Sequence, residues 1–182
     1  MYLLQSGRIY AARLGELLLH LGYHRLLYVI LLVSFSALLV STRWIGLNTS
    51  PSSAPVGFYW REKPALRRGQ LVEVCLPPAW ARFALGRGYI GHSWNCPDGA
   101  ESIVKVIRGM PGDTLWIDPA TVLSADTQGR PMPHVFGNQH LGKNQVWLYG
   151  KARNSLDSRY VGPVPAANVR ANWEPLWTWG EQ

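Results

Sequence analysis

From Leu26 to Thr42 the chain reads LLYVILLVSFSALLVST, seventeen residues without a charge. A helix that crosses a bilayer needs about 20 apolar residues and tolerates roughly 17 to 25. Extension to Trp44-Ile45 at one end, with Tyr28 at the other, supplies interfacial anchors and sets the expected span at residues 26–45. A cleaved leader would need a shorter charged segment before it and small residues at its exit. Here 25 residues precede the run, and Val40-Ser41-Thr42 is a poor cleavage site. No later stretch looks like a helical partner that would bury the run in a soluble core. A retained anchor follows. Residues 1–25 mix Arg8, Arg13 and Glu16 with leucines and read as a cytoplasmic or interfacial segment. Arg8, Arg13 and Arg25 precede the span while Arg43 alone follows it closely, so the positive-inside rule places the N-terminus in the cytoplasm. Residues 46–182 then lie outside, which in a bacterium is the periplasm.

That outer part has a β pattern. Val56–Trp60, Leu71–Leu76, Ser102–Ile107, Thr114–Ile117 and Gln145–Tyr149 read as strands, broken by Pro77-Pro78, Pro97-Asp98-Gly99 and Gly109-Met110-Pro111-Gly112-Asp113. Residues 121–136 offer two weaker strands around Asp126-Thr127-Gln128-Gly129, and residues 79–99 are irregular with one or two helical turns. Short strands between frequent Gly/Pro turns predict a compact, mostly β, antiparallel domain after an N-terminal transmembrane helix.

Composition narrows the function classes. The formal charge of +7 is scattered, without a like-charge block, which suits an anionic membrane surface and gives no nucleic-acid footprint. The five histidines form no HExxH or paired-ligand spacing, so no metal site is expected. Cys75 and Cys96 match no zinc pattern; in an oxidising compartment they could form one disulfide, and otherwise they are two buried thiols.

Lys105 is the unusual residue. In Ser102-Ile103-Val104-Lys105-Val106-Ile107-Arg108, strand alternation puts Ile103, Lys105 and Ile107 on one face and Val104 and Val106 on the other. With both faces apolar, the strand is expected to be buried on both sides. A buried lysine is costly to keep charged, and a shift from about 10.4 to near 7 corresponds to about 4–5 kcal/mol. A neutral ε-amine is a competent general base. The competing reading is a strand-edge lysine that snorkels to water. A base needs a nucleophile, and Ser50, Ser52, Ser53, Ser102, Ser155 and Ser158 are all available. Spacing does not choose among them.

Three segments carry a resemblance that does. Ser53-Ala54-Pro55-Val56-Gly57-Phe58-Tyr59 resembles the nucleophile segment of the type I signal peptidase family, in the form found in TraF-type conjugative-transfer peptidases. Lys105 followed by Gly109-Met110-Pro111-Gly112-Asp113 is similar to the family's second motif, and Asn154-Ser155-Leu156-Asp157-Ser158-Arg159 to its third. They occur in the family's order behind an apolar span. The resemblance implies Ser53 as nucleophile and Lys105 as general base and then acid. It implies Ser155 as a hydrogen-bonding partner that orients Lys105, and Asp157 and Arg159 as an ion pair behind it, with a more direct role for Asp157 as the alternative. No cofactor is implied. Partners would be an exported, pilin-like preprotein and membrane lipid, with no nucleic acid.

The departures point to the compact form. Pro51 stands two residues before Ser53, so no upstream side-chain hydroxyl there completes the oxyanion site, leaving Ser50, Ser52 or another backbone N–H. The third motif is one residue shorter than in housekeeping enzymes, and there is no room for their large extra β-domain. The expected activity is removal of a leader peptide from a subunit of a conjugative or type IV secretion system. The alternatives are a general leader peptidase and a catalytically idle structural component. Whether the acyl group passes to water or to an amine is open. The tryptophans at 173, 177 and 179 either fill the core or meet lipid headgroups.

Overall fold

A computed structural model of the chain describes residues 23–51 and 53–179; the expected segment 1–25 lies outside these except for Tyr23–Arg25. The chain divides after Arg43 into two units.

The first contains helix α1, Tyr23–Ser41, long and apolar enough to cross a membrane. Its apolar side chains are exposed. The hydroxyls of Ser36, Ser41 and Thr42 donate to the carbonyls of Leu32, Leu38 and Leu39 at 2.7–2.8 Å. Each of these three hydroxyls is satisfied by the helix's own backbone, which lowers the cost of placing it in hydrocarbon. The helix does not extend to Trp44-Ile45 as expected: residues 42–44 turn, and a strand begins at Ile45.

The second unit is built on one antiparallel sheet. Its strands are β1 Ile45–Asn48, β2 Val56–Glu62, β3 Leu71–Val74, β4 Ile103–Gly109, β7 Gln145–Tyr149, β8 Val164–Pro165 and β9 Val169–Trp179, in the order β1-β2-β9-β3-β4-β7-β8. Strands β5 Thr114–Ile117 and β6 Gly137–His140 form a separate hairpin. Helix α2, Pro78–Gly86, opens with proline at its first position, where no backbone N–H is needed, and short helix α3, Ser158–Val161, follows β7.

Alternation decides the faces. Val72, Val74, Ile107, Val146, Leu148 and Val164 meet Ala81 and Ala84 of α2 in the main core. A smaller cluster joins Ala54, Tyr59, Ala171 and Trp173. On β2, Gly57 and Tyr59 are buried while Phe58 and Trp60 are exposed. The wide core lets a sheet of short strands bury enough apolar area to offset chain entropy.

Two expectations change. Residues 121–136 form no strand, only the bridge Ala125↔Pro131. The Asp126 carboxylate gathers that segment instead, accepting from Tyr89 Oη at 2.5 Å, Arg130 Nε at 2.6 Å and the backbone N–H groups of Gln128 and Arg130 at 2.9 and 2.8 Å. A side chain that captures local backbone donors competes with ladder formation. Strand β9 was hidden by Pro175 and Glu174 within the tryptophan-rich tail. It pairs with both β2 and β3, with register shifts opposite Phe58/Tyr59 and Glu73/Val74. Of the tail tryptophans, Trp173 enters the core, whereas Trp177 and Trp179 are exposed.

Cys75, just beyond β3, and Cys96 form a disulfide with a Cα–Cα distance of 5.7 Å, tying the sheet to the 91–99 loop.

Candidate active site

The site lies where the loop between β1 and β2 meets β4 and the loop after β7. Ser53 is carried by the first of these, and its neighbour Ala54 is buried in the smaller core cluster. Asn48, the last residue of β1 and itself buried, closes the loop. Its Nδ2 donates to the carbonyls of Ser50, Ala54 and Pro55 at 3.0, 2.9 and 2.9 Å, and its Oδ1 accepts from Ser50 N at 3.3 Å. Tyr59 Oη donates to the same Pro55 carbonyl at 2.7 Å, and its ring packs on Trp173 at 5.3 Å. Gly46 permits this: a Cβ there would lie 2.6 Å from the Trp173 ring.

Lys105 stands in mid-strand, opposite Val72, on the same buried side of β4 as Ile103 and Ile107. Val104 and Val106 on the other side are half-buried, so the strand is covered fully on one face only, and Val106 borders an open cleft. Lys105 is 4% exposed. Its Nζ donates to Ser53 Oγ and, at 3.1 Å, to its neighbour's carbonyl at Val104. Burial pushes the amine down from 10.5 to about 8; the Asp157 carboxylate opposes that shift and the Arg159 guanidinium adds to it. The reduction is smaller than full burial would give, because Asp157 partly stabilises the ammonium.

Asp157 and Arg159 are packed behind this pair. Arg159 donates through Nε to Asp157 Oδ1 at 2.9 Å and through Nη2 to Oδ2 at 2.6 Å, with both side chains buried. Asp157 also accepts from Gly150 N at 2.7 Å, and Arg159 reaches the carbonyls of Gly150 and Ala152 at 3.0 and 2.8 Å and Thr121 at 3.1 Å. The two residues thus fasten the 150–153 segment to the body of the domain. Neither makes a hydrogen bond to Lys105 or Ser53.

Ser155 departs from expectation. It is buried, but its Oγ makes no hydrogen bond, so the expected bond to Lys105 is not formed. The hydroxyl instead packs on Gly150, where a Cβ would overlap it. Of the proposed oxyanion donors, the amide of Ser50 is directed to Asn48, and Ser52 lies outside the described residues.

The cleft over Ser53 has a volume of about 880 Å³ and is bordered by Pro51, Ala54, Tyr59, Val106, Tyr149 and Trp173 among others. Its mixed apolar and polar walls suit an extended peptide. Among the described residues no His/Cys/Asp/Glu cluster has the arrangement of a metal site.

Sequence reasoning missed Asn48 and Tyr59. Asn48 was absorbed into the turn-forming run Asn48-Thr49-Ser50-Pro51, and Tyr59 into a strand. An asparagine at the strand end just before a serine-containing loop was the available signal.

The signal peptidase model, peptidase S26, matches residues 19–178. The chain is similar to the plasmid transfer protein TraF of Escherichia coli, 30% identical over 149 residues, covering 73% of this chain and 82% of that protein. It is also similar to the conjugal transfer protein TraF of Agrobacterium fabrum, 33% identical over 149 residues, covering 72% and 81%. A shorter match to mitochondrial inner membrane protease subunit 1 of Schizosaccharomyces pombe is 37% identical over 75 residues, covering 41% and 40%.

Proposed function

The chain belongs to the signal peptidase family, peptidase S26, and from that premise we propose that it is a membrane-anchored serine endopeptidase in which Ser53 and Lys105 form the catalytic dyad. The observation that carries this reading is the contact between the buried Lys105 Nζ and Ser53 Oγ, joining residues 52 positions apart in the chain.

The chemistry follows from the protonation state. A serine hydroxyl is a poor nucleophile until a base accepts its proton. With a pKa of about 8, Lys105 is neutral in an appreciable fraction of molecules near neutral pH, which an exposed lysine is not. As Ser53 Oγ bonds to the scissile carbonyl carbon, its proton passes to Nζ. The resulting ammonium then protonates the leaving amine as the C–N bond breaks. A water that surrenders its proton to the same nitrogen releases the acyl group. The Ser53 backbone N–H is one donor to the oxyanion, an interaction worth about 2.7–4 kcal/mol in such sites. Asp157 and Arg159 act through position, by holding the 150–153 wall of the cleft.

The proposed substrate is an exported, pilin-like protein of a conjugative or type IV secretion system; the names of the relatives support the link to plasmid and conjugal transfer. Helix α1 anchors the chain, with the residues before it cytoplasmic and the domain that follows Arg43 periplasmic. The exposed aromatics at Trp44 and on β2 and β9 suit a domain working at headgroup level: Trp44 stacks on Trp60 at 6.0 Å, and Phe58 lies 5.7 Å from Trp179.

Co-expression with candidate prepilins tests the dyad. Wild type should yield the shortened product and Ser53→Ala and Lys105→Ala should not; unchanged processing by either variant overturns it.

A further inference from the structure

Several cations of the domain are neutralised by an acid, and others, among them the two on the cleft over Ser53, are not. Arg61, Arg68, Arg130 and Arg159 each have a carboxylate within 2.6–2.7 Å. Arg108 and Lys151, which both border the cleft over Ser53, are exposed and have no carboxylate partner among the described residues. Arg108 is the exposed position of β4, and its guanidinium carbon lies 5.4 Å from the centroid of the Tyr149 ring. Stacking of this kind holds a guanidinium in place while leaving its N–H donors free. Lys151 follows Tyr149 by two residues, on the wall secured by Asp157 and Arg159. The cleft's own carboxylate, Glu174, accepts from the amide of Gln70 at 2.8 Å, which brings no positive charge to it. The nearest acidic residue along the turn, Asp113, is taken by Arg68 at 2.7 Å.

The geometry points to a carboxylate-binding subsite formed by Arg108 and Lys151, which selects processed chains that carry an acidic side chain close to the scissile bond. It rests on the reading of this cleft as the peptide-binding site. A guanidinium ordered on an aromatic face offers paired donors to a carboxylate, and an ammonium bordering the same cleft adds a point charge. A free chain-terminal carboxylate has the same chemistry, so the test separates the two sources.

Full-length Ser53→Ala protein in nanodiscs, which binds without turnover, is titrated with fluorescent peptides that differ only at one position near the candidate cleavage site. Amidated peptides carry Glu, Gln or Lys there, and a fourth carries Gln with a free C-terminal carboxylate. The Glu peptide should bind about tenfold more tightly than the Gln peptide at low salt, and the preference should shrink as salt rises. Arg108→Ala should remove most of it, and Arg108→Glu/Lys151→Glu should turn it toward the Lys peptide. Melting temperatures of these surface variants check that the fold is kept. Equal affinities, no binding of any peptide, or a preference that survives the double reversal overturns the subsite. Preference for the free-carboxylate Gln peptide alone overturns the side-chain assignment. Failure of the dyad itself reads out differently, as uncleaved substrate in wild type while the charge preference in binding persists.

Discussion

Lys105 and Arg159 are both cations buried in the same domain, and the fold treats them in opposite ways. Arg159 has a carboxylate held through two N–H groups and three backbone carbonyls around it. Lys105 has a hydroxyl and one carbonyl. The nearby carboxylate, Asp157, is committed to Arg159 and reaches Lys105 only through its field. A buried charge is tolerated when paired and hydrogen-bonded, and otherwise its pKa moves toward neutrality. The fold therefore keeps one cation permanently charged as a fastener and leaves the other able to lose its proton. Guanidinium suits the first task because it does not deprotonate, and amine suits the second.

The sharpest way to break the contrast is Lys105→Arg. It retains positive charge and length but cannot serve as a base. On the proposed mechanism, processing of a prepilin should fall by about three to four orders of magnitude, measured as initial rates with purified enzyme and substrate. Retention of more than a tenth of wild-type rate would remove Lys105 from the mechanism.

Asp157→Ala attacks the other member. It leaves the Arg159 guanidinium buried without its carboxylate, a defect that costs about 3–5 kcal/mol, measurable as a fall in the denaturant midpoint. Asp157→Ala/Arg159→Met should recover a large part of that loss, since removing both charges abolishes the unpaired one. If the single variant loses less than about 1 kcal/mol, the pair is not the fastener described.

A pH titration separates the two cations next. The folded pKa of Lys105 lies at about 8, below its ordinary 10.5. Between these values the unfolded chain binds more protons than the folded one, so stability rises with pH through that window and is reduced below it. The contribution is about 3 kcal/mol from a shift of 10.5 to 8, and Lys105→Met should flatten this part of the profile. Activity should rise through the same limb near pH 8, because the neutral amine is the base. An activity profile flat from pH 6 to 9 would contradict the role of base.

These contrasts also show what could be read in advance. Alternation in Ile103–Ile107 was enough to put Lys105 on one face with Ile103 and Ile107, because the period of a strand is local, but only the tertiary packing decides between a buried amine and one that snorkels to water. The strands at Thr114–Ile117 and Gln145–Tyr149 were legible for the same reason. Strand β9 was not, since its value lies in pairing with β2 and β3 over a separation of more than 90 residues, which no local pattern encodes. Nor was the orphaned hydroxyl of Ser155: motif resemblance names a residue, but whether its Oγ turns toward Lys105 or packs on Gly150 depends on tertiary contacts.

Asn48 gives the smallest effect and the most specific one. The Ser53 loop lacks an ion pair of the kind that fastens the 150–153 segment; a single carboxamide gathers three of its carbonyls, with Tyr59 assisting at Pro55. Neutral hydrogen bonds contribute about 0.5–1.5 kcal/mol each, and water can replace some of them in a loop near the surface. Asn48→Ala should therefore cost about 1–2 kcal/mol of stability, less than Asp157→Ala. Its effect on processing should be concentrated in kcat, with KM little changed, because the cleft walls at Val106 and Tyr149 that meet the peptide remain intact while Ser53 loses its alignment to Lys105. Asn48→Gln is the discriminating control. It keeps the amide but displaces it by one methylene, so a loop that needs only a polar plug would be restored, whereas a loop that needs the donors at this reach would not. Equal loss of kcat in the Gln and Ala variants, at near wild-type stability for Gln, is the outcome expected if Asn48 positions the nucleophile. Full rescue by Gln would reduce it to a structural filler and leave Lys105 alone responsible for the geometry of the pair.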